Sequence, residues 1–402
     1  MSERMLLMHK DDPVMRINVD EGQYEVIDPK HLPFQLKGKI TKVPELSAAP
    51  SKYEITQMTI AMNKNYNAIE HYAAARVLPI TRANAKKIYA LFGYEQLQTD
   101  EAKAKIAYIC KAVSLEDNYW FKTEKDPTLW TDINLRSNSL SEIVAQVSLK
   151  GSSLSLQGEI HTPELNGHGA YAKAWRREDG DLYLHKVGAN GSELESRIEV
   201  AVSKILDRCN VDHVRYEDST AYGVYTCRCK CMTTEEKSIL SGMDFISYCN
   251  VNGKDPKKEI MAIDPDSIYK MWIVDYLISN RDRHGMNWGF YYDADSMEIL
   301  GCHPLFDHNN AFDEALMEDK DAKYLFDMDM TMRQAAKTAM NHVDFHFSDD
   351  ITRDLFMDDK QYNSFMERAE ELKIRTIEKK NEKQIPGEDD GPDSDDFWGL
   401  GE

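Results

Sequence analysis

The chain reads Asn280-Arg281-Asp282-Arg283-His284-Gly285-Met286-Asn287 directly after an apolar segment, and Pro304-Leu305-Phe306-Asp307 follows. Together the two stretches supply an aspartate, an amide five residues later and a second aspartate. Phosphoryl transfer from a nucleotide uses such a set, because one carboxylate orients the attacking hydroxyl while an amide oxygen and another carboxylate hold metal ions. Mg²⁺ prefers these oxygen ligands. The pattern predicts Asp282 for the hydroxyl and Asn287 and Asp307 for the metal, with ordinary turn formation as the open alternative.

The composition is that of a globular chain with a strong negative charge. Its 402 residues carry a formal net charge of −20, and 42% of them are hydrophobic, which allows two or three domains with substantial cores. The charge argues against binding to nucleic acid or anionic membranes, but a basic peptide or a metal-screened nucleotide is compatible with it. The seven cysteines show no framework pattern, and neither a secretory signal nor a membrane-spanning apolar run is evident. We therefore expect a soluble protein of the cytoplasm.

Four segments differ in their patterns. Residues 1–148 have a mixed pattern and residues 149–232 are strand-rich. Residues 233–378 are mostly helical, and residues 379–402 are predicted to be disordered. Strand-like pieces are predicted at 15–19 and 23–27, and amphipathic helices near 82–92, 102–112 and 193–208. The last segment is polar and acidic, which is typical of disorder. These patterns predict an α+β fold.

The longest clearly delimited helix is predicted to begin at Asp264-Pro265, with the aspartate as N-cap and the proline at the first helical position. It is apolar around most of its circumference from Ile268 to Leu277, which implies a helix inside a core. It ends just before Asn280, so a buried helix leads into the polar stretch. A catalytic loop requires rigid support of this kind.

A phosphate-binding turn is the next requirement, and Asn166-Gly167-His168-Gly169 lies between two strand-like runs. Gly167 and Gly169 permit close approach of the backbone to phosphates and the positive φ of a tight turn. Asn-Gly is also the commonest hairpin turn, so an ordinary hairpin stays open.

The run Asp181-Leu182-Tyr183-Leu184-His185-Lys186 places a lysine at the end of an apolar strand face. A lysine in that position is costly unless it is paired. We predict that Leu184 lines a nucleotide base pocket and that Lys186 contacts phosphate oxygens. Glu199, on the following helix, is the predicted partner of Lys186, with Glu195 one turn earlier as the alternative. Both acids could instead be solvated charges on the helix surface.

Taken in order, these residues resemble the motifs of the HipA-like kinases, a bacterial branch of the protein-kinase-like fold. That branch shares an Asp-Arg-His-x-x-Asn loop with phosphoinositide kinases. The resemblance covers about residues 150–370 and rests on Gly169-Ala170-x-x-Lys173, Lys186, Glu199, Asp282-x-His284-x-x-Asn287 and Asp307.

The resemblance implies a bilobal α+β kinase fold with a small strand-rich N-lobe, a larger helical C-lobe, an α+β N-terminal extension and a disordered acidic tail. It implies transfer of the γ-phosphate of ATP, with Mg²⁺, to Ser or Thr of a protein substrate, as a toxin or a regulatory kinase. Asp282 would then be the catalytic base, Lys186 and Glu199 the catalytic ion pair, and Asn287 and Asp307 the metal ligands. The residues implied to contact ATP, or to brace the loop beside it, are Gly167, Gly169, Lys173, Leu184, Lys186 and His284.

Two positions depart from the family pattern. Asp307 follows Phe306, where the family usually has a tyrosine. Many members carry a phosphorylatable serine three residues before the glycine of the Gly-Ala-x-x-Lys motif, where this chain has Asn166. Self-inactivation at that position is therefore not carried over.

Other interpretations stay open. A pseudokinase or nucleotide-gated binding module would use the same cleft, with partners docking on the N-terminal extension or on the acidic tail around Phe397-Trp398. A lipid or small-molecule kinase is disfavoured because no basic patch for an anionic headgroup stands out. Asp327-Met328-Asp329-Met330-Thr331 resembles the nucleophile motif of haloacid-dehalogenase-type phosphatases, but too little chain follows for that fold. Cys227, Cys229 and Cys231 fit buried strand positions better than a zinc site.

Overall fold

The fold is mixed α+β, as predicted. The computed structural model describes residues 4–94, 99–155, 162–166 and 169–378. Within these residues it contains several small sheets and twelve α-helices. Gly167, a predicted phosphate contact, and the predicted disordered, partner-docking tail 379–402 lie outside the described residues.

The N-terminal unit (residues 4–150) combines a four-stranded antiparallel sheet with helices. Its elements are β1 (Arg4–His9), β2 (Asp12–Asn18), β3 (Gln23–Val26), α1 (Lys52–Ala75), α2 (Ala85–Leu91), α3 (Asp100–Ile109), β4 (Tyr119–Thr123), α4 (Trp130–Ile133) and α5 (Glu142–Lys150). The strand order is β3-β2-β1-β4. Leu7 lies opposite both Met15 and Phe121, and these three side chains form a core with Tyr72 of α1.

The longest helix of the described chain, α1, is not predicted by the sequence patterns, whereas the two strands and two helices predicted in this unit are present with shifted ends. Ser51 begins α1 in a capping box with Glu54. Tyr53 and Ile60 in its first half are exposed, and its buried residues begin only at Asn65. The first half therefore lacks the apolar stripe by which a helix is detected.

The strand-rich unit (residues 173–230) is an antiparallel sheet with one helix packed against it. Its elements are β5 (Lys173–Glu178), β6 (Asp181–Lys186), α6 (Leu194–Leu206), β7 (Tyr216–Ala221) and β8 (Val224–Lys230). The strand order is β5-β6-β8-β7. Lys173 pairs with Lys186, which pairs in turn with Cys227, so these three residues lie side by side across the sheet. The helix α6 lies within the range predicted for it.

The helical unit (residues 237–377) contains most of the remaining helices. Its elements are β9 (Lys237–Ser241), α7 (Gly242–Val251), α8 (Pro256–Ile263), α9 (Pro265–Leu277), β10 (Gly289–Asp293), β11 (Ile299–Cys302), α10 (Glu314–Glu318), β12 (Lys323–Tyr324), β13 (Asp327–Thr331), α11 (Met332–Ala339), β14 (His346–Ser348), α12 (Asp359–Glu371) and β15 (Arg375–Ile377). Asp264 caps α9 by accepting a hydrogen bond from Ser267 N at 3.2 Å, and α9 begins at Pro265 as predicted. In the part of the chain described, no helix has the length and apolarity needed to span a membrane.

The linker segment (residues 231–236), which joins β8 to β9, is bonded to the N-terminal unit. Arg136 donates to Thr233 O at 2.9 Å and to Leu115 O at 2.8 Å. Asn118 Nδ2 donates to Glu235 O at 2.6 Å. The N-terminal unit is therefore bonded to the segment that connects the strand-rich unit to the helical unit.

Phe34 is a second point of attachment. It belongs to the N-terminal unit but lies in the core of the helical unit, 6% exposed. Its ring packs edge-on against Tyr248 and Tyr292, with centroid distances of 5.5 Å and 5.3 Å. Aromatic contacts of this geometry add to the burial of apolar area. The two units therefore share part of one core.

Candidate active site

The Asp282 loop (residues 280–287) follows the buried end of α9. Asn280 Nδ2 donates to Asp275 Oδ1 at 3.1 Å, and its amide oxygen accepts from Asp282 N at 3.2 Å. Asn287 N donates to His284 O at 2.9 Å, which closes the loop into a tight turn. Polar side chains thus satisfy the backbone where the apolar helix ends.

Arg283 is the buried centre of this region. Its guanidinium donates to Asp275 of α9, with Nη2–Oδ1 at 2.8 Å and Nε–Oδ2 at 3.0 Å, and both side chains are fully buried. It also donates to Asn287 O at 2.6 Å and to Phe306 O at 2.9 Å. Burial alone would lower the pKa of Arg283, but the Asp275 carboxylate raises it. One cation therefore ties the Asp282 loop to the Asp307 segment (residues 304–310).

Asp282 and Asn287 both line the cleft, but their side chains differ in exposure. Asn287 is 3% exposed, and its Nδ2 donates to Asp282 O at 2.7 Å, so its amide oxygen is the atom that could bind a metal ion. The Asp282 side chain is a third exposed. Its Oδ2 accepts from Asn310 Nδ2 at 2.7 Å, and its Oδ1 lies 3.9 Å from His284 Nε2.

Lys186 lies among two acids and a phenol. Its Nζ is 2.9 Å from Asp307 Oδ1, 3.0 Å from Tyr216 OH and 3.6 Å from Glu199 Oε2. Glu199 is 1% exposed, and its other oxygen accepts from His308 N at 3.0 Å. Glu199, rather than the alternative acid on the previous turn, is thus the helix carboxylate that faces Lys186.

Asp307 is held in an uncommon backbone conformation, with φ of 61°. Burial alone would raise the pKa of its carboxyl group, but Lys186 and Lys173 together lower it to about 2. The carboxylate is therefore ionised at neutral pH and available as an oxygen ligand for a cation.

Lys173 brings a second lysine amine to the cleft. Burial, then Arg82 and Lys186, lowers its pKa to about 7. Gly169 lies beside it with φ of 88°, and a Cβ on this glycine would meet Lys173 Nζ at 3.0 Å. Glycine therefore allows the backbone to approach the lysine closely.

One cleft of about 740 Å³ brings most of the predicted site residues together. The predicted residues that line it are Gly169, Lys173, Lys186, Glu199, Asp282, His284, Asn287 and Asp307. Leu184 is not among these lining residues; its side chain packs against the hydrophobic cluster that includes Val200 and Cys229.

The N-terminal unit supplies a wall of the same cleft that the sequence patterns do not predict. The residues of this wall are Gln35, His71, Tyr72, Ala75, Arg76, Ser114, Glu116 and Asp117. Arg76 Nη1 is 2.7 Å from Asp117 Oδ2, and this pair is largely buried. Gln35 Nε2 donates to Asp244 Oδ2 of α7 at 3.1 Å, so the wall is fixed to the helical unit.

Several supporting residues are missed by sequence reasoning. Tyr216 and Asn310 carry no motif, so nothing in the sequence singles them out, whereas the position of His308 next to Asp307 makes it a candidate supporting group. Asp275 has a usable signal, because a carboxylate inside a helix that is apolar almost all round needs a buried cation. The nearest cation beyond α9 that could serve is in the Asp282 loop itself.

Metal binding by cysteine is not supported. Within the described ranges, no group of three or more His, Cys, Asp and Glu side chains is placed to hold a metal ion. Cys227 and Cys229 are buried beneath α6, and burial raises the pKa of Cys229 to about 12. They are apolar packing residues, as the sequence favours. Asn287 and Asp307 offer amide and carboxylate oxygens, a donor set that fits Mg²⁺.

No protein-family model matches the chain, and no curated protein matches it. Among solved structures, the chain is similar to the proinflammatory kinase CtkA of Helicobacter pylori, with 16% identity and a TM-score of 0.36, covering 52% of this chain and 88% of that chain. It is also similar to the toxin–antitoxin complex of HipA, HipB and operator DNA from Shewanella oneidensis MR-1, with 9% identity and a TM-score of 0.45, covering 92% and 95%. Both TM-scores are low, so the function proposed below rests on this chain's own cleft.

Proposed function

We propose that the chain is a HipA-like protein kinase that transfers the γ-phosphate of ATP to a Ser or Thr hydroxyl with Mg²⁺. One observation carries the proposal. Asp282, Asn287 and Asp307 line the same cleft as the Lys186–Glu199 pair. Phosphoryl transfer depends on positioning and on charge neutralisation, and this set provides both.

The two oxygen ligands fit a divalent cation. Asp307 is ionised, and the Asn287 amide is turned so that its oxygen is available. Bound Mg²⁺ would neutralise phosphate charge. Arg283 keeps the two ligands in register, because it bonds the backbone of Asn287 and of Phe306, the residue before Asp307.

The two lysines fit the phosphates. Lys186 and Lys173 are paired across β5 and β6, and both line the cleft. Burial, Arg82 and Lys186 lower the pKa of Lys173, whereas burial would lower the pKa of Lys186 but Asp307 and Glu199 raise it. A polyphosphate supplies negative charge to both, which favours its binding.

Asp282 is the group proposed to accept the proton. In the step, the acceptor oxygen forms a bond to the γ-phosphorus, the bond from that phosphorus to the bridging oxygen of ADP breaks, and the hydroxyl proton passes to Asp282. The partial exposure of its carboxylate to the cleft allows an acceptor to reach it.

The wall from the N-terminal unit favours a protein acceptor over an anionic lipid. It brings the carboxylates of Glu116 and Asp117 to the cleft, near Asp244 of the helical unit. The cation of Arg76 is already paired with Asp117. A phosphorylated lipid headgroup would meet like charge there, whereas a peptide would not.

The test is incubation of the full chain with γ-labelled ATP, Mg²⁺ and bacterial lysate, followed by phosphosite mass spectrometry. Asp282→Asn is expected to abolish label transfer while binding of a fluorescent ATP analogue stays close to that of the wild type. Asp329→Asn is the matched control, because Asp329 is exposed and outside the cleft, in the phosphatase-like motif.

Three outcomes would count against the proposal. Transfer by Asp282→Asn at the wild-type rate would remove the assigned base. Loss of transfer in Asp329→Asn would favour chemistry at the other motif. Magnesium-dependent nucleotide binding by the wild type without label on any protein would favour a pseudokinase.

A further inference from the structure

Asn310 contacts the candidate base, although it belongs to no motif. It is exposed, it ends the Asp307 segment and it lines the cleft. Its Nδ2 donates to Asp282 Oδ2 at 2.7 Å across a separation of 28 residues. An ionised carboxylate only accepts hydrogen bonds, so the amide nitrogen is the atom that faces Asp282.

This contact fixes one of two equivalent oxygens. The terminal torsion of an aspartate is broad, so an unheld carboxylate turns freely about its last bond. With Oδ2 bonded to Asn310, Oδ1 is left to take a proton, on the side where His284 Nε2 lies 3.9 Å away.

We infer that Asn310 is a positioning residue that orients the Asp282 carboxylate towards the acceptor hydroxyl, an inference that rests on the proposed function. Because Asn310 and Asp307 belong to one segment, the same stretch of chain places the metal ligand and the proton acceptor. The Asp307 and Asp282 carboxylates are thereby kept at a fixed distance and orientation during phosphate transfer.

The amide cannot be replaced by a carboxylate without penalty. The substitution Asn310→Asp would remove the donor and place a negative charge against Asp282, so the two carboxylates would repel each other and Asp282 would lose the orientation that the amide gives it.

The experiment measures kcat and KM for the full chain, with a synthetic peptide containing a phosphosite mapped in the lysate experiment. Asn310→Ala is expected to lower kcat about tenfold with the KM for ATP unchanged, since it removes one hydrogen bond to a charged group. Asn310→Asp is expected to lower kcat at least as much, again with the KM for ATP unchanged, because it replaces the hydrogen bond by repulsion. Binding of a fluorescent ATP analogue should be unchanged in both, since neither change touches the lysines.

Asn341→Asp is the control, because Asn341 is an exposed asparagine outside the cleft and the change carries the same charge. It should keep the wild-type kcat and KM. If the wild type transfers phosphate and both Asn310 variants keep its kcat, the inference fails while the proposed function stands. If Asn310→Ala loses nucleotide binding and thermal stability along with kcat, the role is structural and the inference also fails. If the wild type labels no protein, the proposed function fails, and the inference with it.

Discussion

At the scale of single residues, Lys186 is the cation that balances the charges of two acids in the cleft. It faces Asp307, Glu199 and the Tyr216 hydroxyl, and Glu199 is almost completely buried. An ion pair at such depth contributes little net stability when intact, but loss of one partner leaves an uncompensated charge. Lys186 therefore has a structural effect that is separable from its proposed contact with phosphate.

Lys186→Ala is expected to lower the free energy of unfolding by about 3–5 kcal/mol and to weaken binding of a fluorescent ATP analogue. In Lys186→Ala/Glu199→Gln, the stability should return in part while binding stays weak, because only the buried charge is removed. Urea denaturation and fluorescence titration measure the two effects separately.

Lys204→Ala is the control for this prediction, since Lys204 pairs with Asp218 at 3.2 Å on the exposed surface of the same unit. It should cost less than about 1 kcal/mol. A Lys186→Ala protein as stable as wild type would show that Glu199 does not depend on the lysine for its charge balance.

At the scale of elements, α9 acts on the cleft through Asp275. This carboxylate accepts from Arg283, Asn280 and the Tyr324 hydroxyl, the last at 2.5 Å. The Asp282 loop, the Asp307 segment and β12 are therefore joined at one buried charge. A change in α9 that never touches the cleft should alter its chemistry.

Asp275→Asn is expected to lower the free energy of unfolding by about 3 kcal/mol, because the shape is kept but Arg283 loses its counter-charge in a fully buried place. It should also lower kcat more than it raises the KM for ATP, because Arg283 holds the backbone of Asn287 and Phe306. Asp266→Asn, in the exposed first turn of α9, is the matched change and should stay within about 0.5 kcal/mol of the wild type. Equal behaviour of the two variants would refute the special role of Asp275.

The sequence predicts local features of these elements well. The Asp264 cap, Pro265 and the apolar circumference are all encoded within the helix, so α9 begins where the pattern places it. The spacing of Asp282 and Asn287 is likewise local, because one short loop carries both. The pairing of Lys186 with Glu199 is foreseeable because β6 and α6 are neighbours in the chain.

Contacts between distant segments are not predictable in this way. Nothing in the sequence near Arg76 or Asp117 indicates that they face a cleft built by the other units. Leu184 shares a strand face with Lys186, and alternation alone cannot say that its side chain packs in the hydrophobic cluster of Val200 and Cys229. These outcomes are set by how the units pack.

At the scale of the whole molecule, two buried histidines make the fold sensitive to acid. Burial lowers the pKa of His9 and of His303 to about 4, from an ordinary value of 6.5. The unfolded chain therefore takes up these protons at a higher pH than the folded chain does. Stability from the neutral histidines is complete above pH 6.5 and is lost as the pH falls towards 4.

Between pH 7.5 and pH 5, each histidine is expected to cost about 2 kcal/mol of the free energy of unfolding, measured by urea denaturation. His9→Phe should reduce that loss by about 2 kcal/mol, because it keeps a ring stacked on His31 but takes up no proton. An unchanged pH dependence in this variant would show that His9 is not titrated in this way.

The N-terminal and helical units should unfold in one event, because Phe34 of the N-terminal unit lies in the core of the helical unit. Phe34→Ala is expected to cost about 3–5 kcal/mol and to split the calorimetric transition into two, since it removes the shared ring and leaves a cavity. Phe92→Ala, whose ring stacks on Tyr94 within the N-terminal unit, should destabilise without this splitting. Two peaks already present in the wild type would contradict the prediction.

The bonds from Arg136 and Asn118 to the linker segment restrict how the two units on either side of the cleft can move. Because the linker segment is bonded to the N-terminal unit, the strand-rich unit cannot rotate freely about this segment relative to the helical unit. The N-terminal unit also bonds the strand that carries Lys173, because Arg82 Nη2 donates to Lys173 O at 2.9 Å. A movement of the strand-rich unit against the helical unit would therefore strain bonds to the N-terminal unit, and we expect Arg136→Ala to ease that movement.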